Sequence, residues 1–145
     1  MAQRKKILFL CTGNSCRSQM AEGFCRALRG DFFEVYSAGI ETHGLNPFAV
    51  KVMGEAGVDI SGHRSKLLSE LADVEFDYVI TVCGNAKETC PMPPSAKTKV
   101  MHAGFDDPPK MALECDSQED KLNCYRRVRD EIRRFIETIP GSLNK

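Results

Sequence analysis

A cysteine and an arginine in this sequence have the spacing of a loop that binds a tetrahedral oxyanion. Cys11 and Arg17 enclose Thr12, Gly13, Asn14, Ser15 and Cys16, and Ser18 follows. Backbone N–H groups of such a loop can point inward, and a helix that begins there adds the positive end of its dipole. Arg17 can close the ring with a guanidinium fork, and the same field favours a Cys11 thiolate, to which Ser18 can donate a hydrogen bond. The alternative is an ordinary strand-to-helix turn with an incidental cysteine.

Two other groups carry side chains with chemistry of their own. The pair Asp106-Asp107 precedes Pro108, and a carboxyl group beside an oxyanion loop can protonate a leaving oxygen. Cys83 and Cys90 offer thiols for redox chemistry. Taken alone, an Asp-Asp-Pro segment is typical of a solvated turn. By the same standard, Cys83 would be a buried strand residue, and Cys90 would be an exposed residue with no part in the chemistry.

The elements that must position these residues follow from the hydrophobic pattern. Short apolar or alternating runs predict strands at 6–11, 33–37, 78–83 and 98–102. Helical spacing predicts a helix that begins near Arg17 or Ser18, and others at 47–56, 65–71 and 118–138. Residues 84–96 are rich in proline and polar residues and predict a loop. Alternating strands and helices predict an α/β fold: a four-stranded parallel sheet with helices on both faces. Ligands of such folds bind beyond the carboxyl ends of strands, where Cys11, Cys83 and the residues after His102 fall.

Composition limits the classes of function. The 145 residues suit one domain, 1–145, and 20 acidic and 20 basic residues give zero net charge, which argues against a nucleic-acid partner. The apolar run at 7–10 is too short for a signal peptide or a membrane span, so we expect a cytoplasmic protein with no membrane partner. Seven cysteines in a reducing compartment are either small buried hydrophobic residues or redox groups.

Five segments of the sequence resemble one known family in the same order. They are CTGNSCRSQMAEG, YSAGIETHGLNPFAV, VCGNAKETCP, HAGFDDP and RRVRDEI, which begin at residues 11, 36, 82, 102 and 126. The pattern is similar to that of the thioredoxin-coupled arsenate reductases, which share the fold of low-molecular-weight protein tyrosine phosphatases. The resemblance covers most of the chain, from about residue 6 to about residue 135.

The resemblance implies a reaction with arsenate, or a similar tetrahedral oxyanion, as substrate. Cys11 attacks arsenic, and Asp106 acts as the general acid, with Asp107 the less favoured choice. Cys83 then attacks the Cys11 sulfur and arsenite leaves. Cys90 next attacks Cys83, and thioredoxin reduces the resulting disulfide. The scheme needs no cofactor and no metal.

Two other functions stay open at this stage. A low-molecular-weight tyrosine phosphatase would use the same loop and acid, although Pro109 stands where that family often has an aromatic residue. A non-enzymatic oxyanion-binding or redox-sensing protein would have no need of a general acid.

The resemblance also bears on a possible potassium site and on the remaining cysteines. Asn14, Glu22 and Ser37 match three positions of a potassium site in some relatives, but Lys66 occupies the position of a carboxylate. We therefore expect the Lys66 ammonium to pair with Glu22 and the enzyme to be independent of potassium. No role follows for the other cysteines, Cys16, Cys25, Cys115 and Cys124.

Overall fold

Four parallel strands form one sheet whose carboxyl ends lie at a common edge. The computed structural model describes residues 4–11, 13–14, 16–42, 44–83, 98–139 and 141, and for Cys83 the backbone alone. The strands are β1 (Lys5–Cys11), β2 (Phe33–Gly39), β3 (Tyr78–Cys83) and β4 (Lys99–Phe105), in the order β2-β1-β3-β4. The predicted four-stranded parallel sheet is confirmed.

Helices pack on both faces of this sheet, as predicted. They are α1 (Arg17–Arg29), α2 (Pro47–Glu55), a 3-10 helix (Leu68–Leu71), α3 (Pro108–Ala112) and α4 (Gln118–Thr138). The bounds predicted for α4 are confirmed at both ends. At its start, the Ser117 hydroxyl oxygen accepts a hydrogen bond from the Asp120 amide at 3.0 Å and so caps the first turn. Asn46 caps α2 in the same way, accepting from the Phe48 and Ala49 amides.

The helix predicted at 65–71 is wrong for its first half. Only Leu68–Leu71 is helical, and it is a 3-10 turn. The residues before it pair with the sheet, because the Gly39 amide donates to the Lys66 carbonyl at 2.8 Å and Gly39 forms a bridge with Leu67. This pairing with a distant part of the chain overrides the local sequence pattern that predicted a helix.

Two strands run further than the sequence predicted, and one short helix was missed. β2 extends to Gly39, which pairs with Cys11, and β4 extends to Phe105, which pairs with Cys83 after an irregularity in the register. Helix α3 begins at Pro108, at a position where proline is well tolerated because its missing N–H would have no helical partner. Each extension brings backbone closer to the edge where Cys11 lies.

The alternating side chains of β1 are buried on both faces of the sheet. Ile7 and Phe9 pack in the core formed with α1, α2 and α4. Leu8 and Leu10 pack in a smaller core with Phe76, against which the 3-10 helix lies. The near-continuous apolar run of β1 is therefore explained by a central strand covered on both sides.

Among the described residues, none of the helices combines the length and the apolar character that crossing a bilayer would require.

Candidate active site

Cys11 lies at the end of the central strand, at the edge where the ligand sites of parallel sheets form. Its exposed fraction is 4%. Helix α1 begins six residues later at Arg17, so Gly13 and Asn14 stand between the strand and the N-terminus of the helix. The strand–loop–helix arrangement predicted for the oxyanion loop is present in the described part of this segment.

The Arg17 side chain is held by contacts with the end of β4 and the residues that follow it. Its Nη1 donates to the Phe105 carbonyl at 3.0 Å, and its Nη2 lies 3.6 Å from an Asp107 carboxylate oxygen. Its Nε is buried and has no hydrogen-bond partner among the described residues. A buried donor without an acceptor is costly, so this N–H is a ready partner for an incoming anion.

Asn14 fixes the loop from within. Its backbone is left-handed, with φ of 49°, a conformation that asparagine tolerates better than most residues. The fully buried side chain donates to the Ser18 hydroxyl oxygen at 2.8 Å and accepts from the Lys66 amide at 2.8 Å and from Gln19 Nε2 at 3.1 Å. Because Ser18 Oγ accepts the hydrogen bond from Asn14, the Ser18 hydroxyl hydrogen remains available to donate to another group.

The segment at 64–66 supports the loop from the outside. The Ser65 hydroxyl donates to the Gly13 carbonyl at 3.0 Å, and Gln19 donates to the Arg64 carbonyl at 3.1 Å. The first contact gives the Gly13 carbonyl of the loop a partner within the protein, and the second ties the segment to helix α1. Sequence reasoning missed Gln19 and Ser65, because their role depends on contacts between distant parts of the chain.

The N-terminus of α1 has no side-chain cap among the described residues, so a ligand can bind its first N–H groups. Cys16 occupies the cap position, its side chain makes no capping hydrogen bond, and the first turn contains no acidic residue. The first N–H groups of a helix lack partners within the helix, so an anion can bind them. Burial raises the pKa of the Cys16 thiol to about 12, although Arg17 opposes the shift. Cys16 therefore stays a neutral thiol and does not compete as a nucleophile.

The two aspartates after β4 point in different directions. Asp107 lies beside Arg17, whereas Asp106 pairs with Arg127 on α4 and its side chain is 70% exposed. Asp107 occupies the cap position of α3, but its carboxylate makes no capping bond. Asp107 is therefore the carboxylate nearer to Arg17, and Asp106 is held by an exposed pair with Arg127; the role of Asp106 as the general acid stays a prediction.

A buried carboxylate lies behind the loop. The exposed fraction of Glu22 is 4%, and its oxygens accept from the Ser37 hydroxyl at 2.5 Å and from Arg26 at 2.8 Å. The Lys66 ammonium lies 3.9 Å away, which confirms the predicted pairing of Lys66 with Glu22. His63 Nε2 is 3.7 Å from the same carboxylate, and burial lowers the pKa of His63 despite the attraction of Glu22.

The chain is similar to known proteins along most of its length. The sequence profile of the low molecular weight phosphotyrosine protein phosphatases matches residues 6–145. This chain belongs to that family. It is 52% identical over 135 residues to an arsenate reductase of Halalkalibacterium halodurans, covering 93% of this chain and 94% of that protein.

Solved structures of the family agree with the fold described above. One, an arsenate reductase in the phosphate binding state, is 31% identical, with a TM-score of 0.72 over 95% of this chain and 98% of that chain. Another, a thioredoxin-dependent arsenate reductase of Corynebacterium glutamicum, is 26% identical, with a TM-score of 0.66 over 97% of this chain and 64% of that chain.

Apart from Asp106, which pairs with Arg127, the site residues predicted from the sequence fall into two groups. The structure brings six of them together around one loop: Cys11, Gly13, Asn14, Cys16, Arg17 and Ser18. Thr12, Ser15 and Cys90 lie outside the described residues, as do the side chain of Cys83 and the loop predicted at 84–96. Within the described ranges, no three His, Cys, Asp or Glu side chains are grouped so that they could hold a metal ion.

Proposed function

We propose that this protein reduces arsenate to arsenite, with Cys11 as the nucleophile. The proposal depends above all on the position of Cys83. β3 pairs directly with β1, with Leu10 opposite Thr81, and Cys83 ends β3 at the same edge at which Cys11 ends β1. Adjacent strands are about 4.8 Å apart, so a second thiol-bearing residue is anchored next to the nucleophile. A phosphatase needs no such residue, whereas a reductase needs a second source of electrons.

The first step binds and activates the oxyanion. Arg17 Nε and the first N–H groups of α1 would bind arsenate oxygens, and the Cys11 thiolate would attack arsenic. One arsenate oxygen leaves as water after a carboxyl group donates a proton. The product of this step is a covalent Cys11 sulfur–arsenic adduct in which arsenic is still pentavalent.

The second step transfers two electrons from sulfur to arsenic. The Cys83 thiolate attacks the Cys11 sulfur, the sulfur–arsenic bond breaks, and its electron pair stays on arsenic, which leaves as arsenite. Cys90 then attacks Cys83, which returns Cys11 to the thiolate form and leaves a Cys83–Cys90 disulfide. An external dithiol of the thioredoxin type reduces that disulfide. The relative from Corynebacterium glutamicum, described as thioredoxin-dependent, supports this donor. A reducing compartment suits the cycle, so we propose a cytoplasmic location.

Asp106, the carboxyl group that the family resemblance implies, is our candidate for the general acid, and Asp107 is the second choice. Asp107 contacts Arg17 at 3.6 Å, which suits a role in positioning that guanidinium, whereas Asp106 is held by an exposed pair with Arg127 that can open when substrate binds. Asp106→Asn should lower kcat by about 10²- to 10⁴-fold, the usual contribution of a general acid. Asp107→Asn is the matched control, since it changes the neighbouring carboxylate and should lower kcat less. A larger loss for Asp107→Asn than for Asp106→Asn would reverse the assignment.

The relay is tested by mass spectrometry after one arsenate turnover without reductant. The wild-type protein should contain one disulfide, between Cys83 and Cys90. Cys90→Ser should stop at a Cys11–Cys83 disulfide, and Cys83→Ser should form neither. Cys25→Ala removes a fully buried thiol on α1 and serves as the control that keeps the relay. Sustained turnover with thioredoxin by both relay variants would refute the mechanism.

Phosphatase activity is the second candidate, favoured by the family to which the chain belongs. The anion loop and the acid would serve both reactions. The discriminating assay compares aryl-phosphate hydrolysis with arsenate-dependent consumption of reduced thioredoxin. We expect weak hydrolysis that survives Cys83→Ser, because only the reductase reaction uses Cys83. Strong hydrolysis without arsenate reduction would make the protein a phosphatase.

A further inference from the structure

Two cysteines that the proposed mechanism does not use lie against each other at the start of α4. Cys115 precedes the helix, and Cys124 lies in its second turn. Their sulfur atoms are 3.6 Å apart, and both residues are partly exposed. Cys115 also contacts the Met111 carbonyl at the end of α3, at 3.6 Å. The pair is thus held by two helices and is accessible from solvent.

The distance between the sulfurs suits two ligands of one atom better than a bond between them. A disulfide requires about 2.05 Å between sulfurs. Two sulfurs bound to one zinc ion at about 2.3 Å in a tetrahedral site lie about 3.8 Å apart. The observed distance is close to this second value. However, zinc needs four ligands, and no group of three suitable side chains occurs in the described portion of the chain. The two thiols contact each other through a hydrogen bond, and a ligand that two sulfurs satisfy fits this pair better than zinc does.

We propose that Cys115 and Cys124 form a binding site for trivalent arsenic, so that the protein binds its own product. The proposal rests on the arsenate reduction proposed above for the source of the ligand. Arsenous acid, As(OH)₃, condenses with two thiols. Two sulfur–arsenic bonds form, two arsenic–oxygen bonds break, and the two thiol protons leave with the two hydroxyl groups as water. Arsenic stays trivalent and keeps one hydroxyl group, so no oxidant, reductant or further ligand is needed.

The surroundings of the pair favour this ligand over competing ones. The contact with Cys124, together with burial, raises the pKa of the Cys115 thiol, and Asp120 acts in the same direction. A protonated thiol is a poor zinc ligand and a slow partner in disulfide exchange, because both reactions require the thiolate. Condensation with arsenous acid takes up thiols and releases water. The Asp120 carboxylate acts on Cys115 and would repel an arsenate anion, although Lys121 opposes it, whereas uncharged arsenous acid is affected by neither charge.

The test measures binding of added arsenite, so that its outcome does not depend on turnover. The relay thiols are removed in the full-length Cys11→Ser/Cys83→Ser/Cys90→Ser protein, which keeps Cys115 and Cys124. Native mass spectrometry should find one arsenic per chain, with the mass of arsenic and one hydroxyl group gained and two hydrogens lost. Replacing either Cys115 or Cys124 by serine should raise the Kd by about 100-fold or more, because the second bond then loses its intramolecular advantage.

The controls separate binding from folding and from oxidation. Asn123→Ser changes the exposed residue next to Cys124, keeps both thiols and should bind arsenite like the parent protein. Circular dichroism checks that each variant is folded. Equal arsenite affinity in both serine variants and the parent, or loss of two hydrogens without gain of arsenic, would overturn the proposal. Arsenite binding in a wild-type protein that fails to reduce arsenate would refute the proposed function and leave the site intact.

Discussion

Replacing Asn14 by alanine should destabilise the protein far more than the loss of one loop side chain normally does. The side chain is fully buried and joins α1 to the segment at 64–66. Alanine removes the partner of the Lys66 amide and of the Ser18 hydroxyl oxygen. Gln19 suffers less, since its Nε2 also donates to the backbone carbonyls of Asn14 and Arg64.

The magnitude follows from these losses. Two buried or partly buried polar groups left without their partner cost about 1 to 1.5 kcal/mol each. Alanine also lacks the tolerance of asparagine for the left-handed backbone at this position, which adds about 1 kcal/mol. We expect a loss of about 3 to 4 kcal/mol in the free energy of unfolding, a large part of the stability of a typical domain, which is about 5 to 15 kcal/mol.

Urea unfolding monitored by circular dichroism measures the loss, and Asn14→Gly separates its two parts. Glycine loses the same hydrogen bonds but accepts positive φ, so Asn14→Gly should be about 1 kcal/mol more stable than Asn14→Ala. Phosphate binding, measured by calorimetry, should weaken in both variants because the loop is no longer fixed. A loss below about 1 kcal/mol in Asn14→Ala would mean that the network around Asn14 does not hold the loop, and the reasoning would fail.

Three further outcomes are expected. The rate of arsenate reduction should be equal in potassium and sodium at equal ionic strength, because the Lys66 ammonium beside Glu22 replaces the ion; Lys66→Asp should create a preference for potassium, and a preference in the wild type would contradict this explanation. Iodoacetamide near pH 8 should label Cys11 but not Cys16 or Cys25. Burial raises the pKa of both of these thiols to about 12, so only about one molecule in 10⁴ carries the thiolate at that pH. Labelling of Cys16 to the same extent as Cys11, detected by peptide mass spectrometry, would contradict this prediction. Burial lowers the pKa of His63, so on acidification the unfolded chain binds the proton at a higher pH than the folded chain does. The contribution of His63 to the free energy of unfolding is therefore complete above about pH 6.5 and is lost as the pH falls below it. His63→Gln should flatten that part of the plot of urea midpoint against pH, and an unchanged plot would exclude His63 as the cause.

The sequence predicted those features that depend on local pattern. The apolar run of β1 indicated a strand buried on both faces, and Ser117 and the apolar stripe that follows it gave the bounds of α4. The loop from Cys11 to Arg17 could be identified because its function requires a strand before it and a helix after it.

Features that depend on contacts between distant segments could not be predicted. The pairing of Gly39 with Leu67 shortens the helix expected at 65–71. Asp106 and Asp107 are adjacent in sequence, and only the positions of Arg127 and Arg17 decide which arginine each carboxylate pairs with. Cys115 and Cys124 are nine residues apart, and their contact arises because the chain turns into α4 between them.

The bond from Arg17 to the Phe105 carbonyl has a consequence for heat stability. It ties the start of α1 to the end of β4, so an anion on the same guanidinium adds a bridge between two parts of the fold that are far apart in sequence. Such a ligand binds only the folded chain and shifts melting upward by mass action, as RT ln(1 + [L]/Kd). A phosphate buffer should therefore protect the protein against thermal unfolding more than a buffer without a tetrahedral anion that is brought to the same ionic strength with sodium chloride. Arg17→Lys should lose most of that protection.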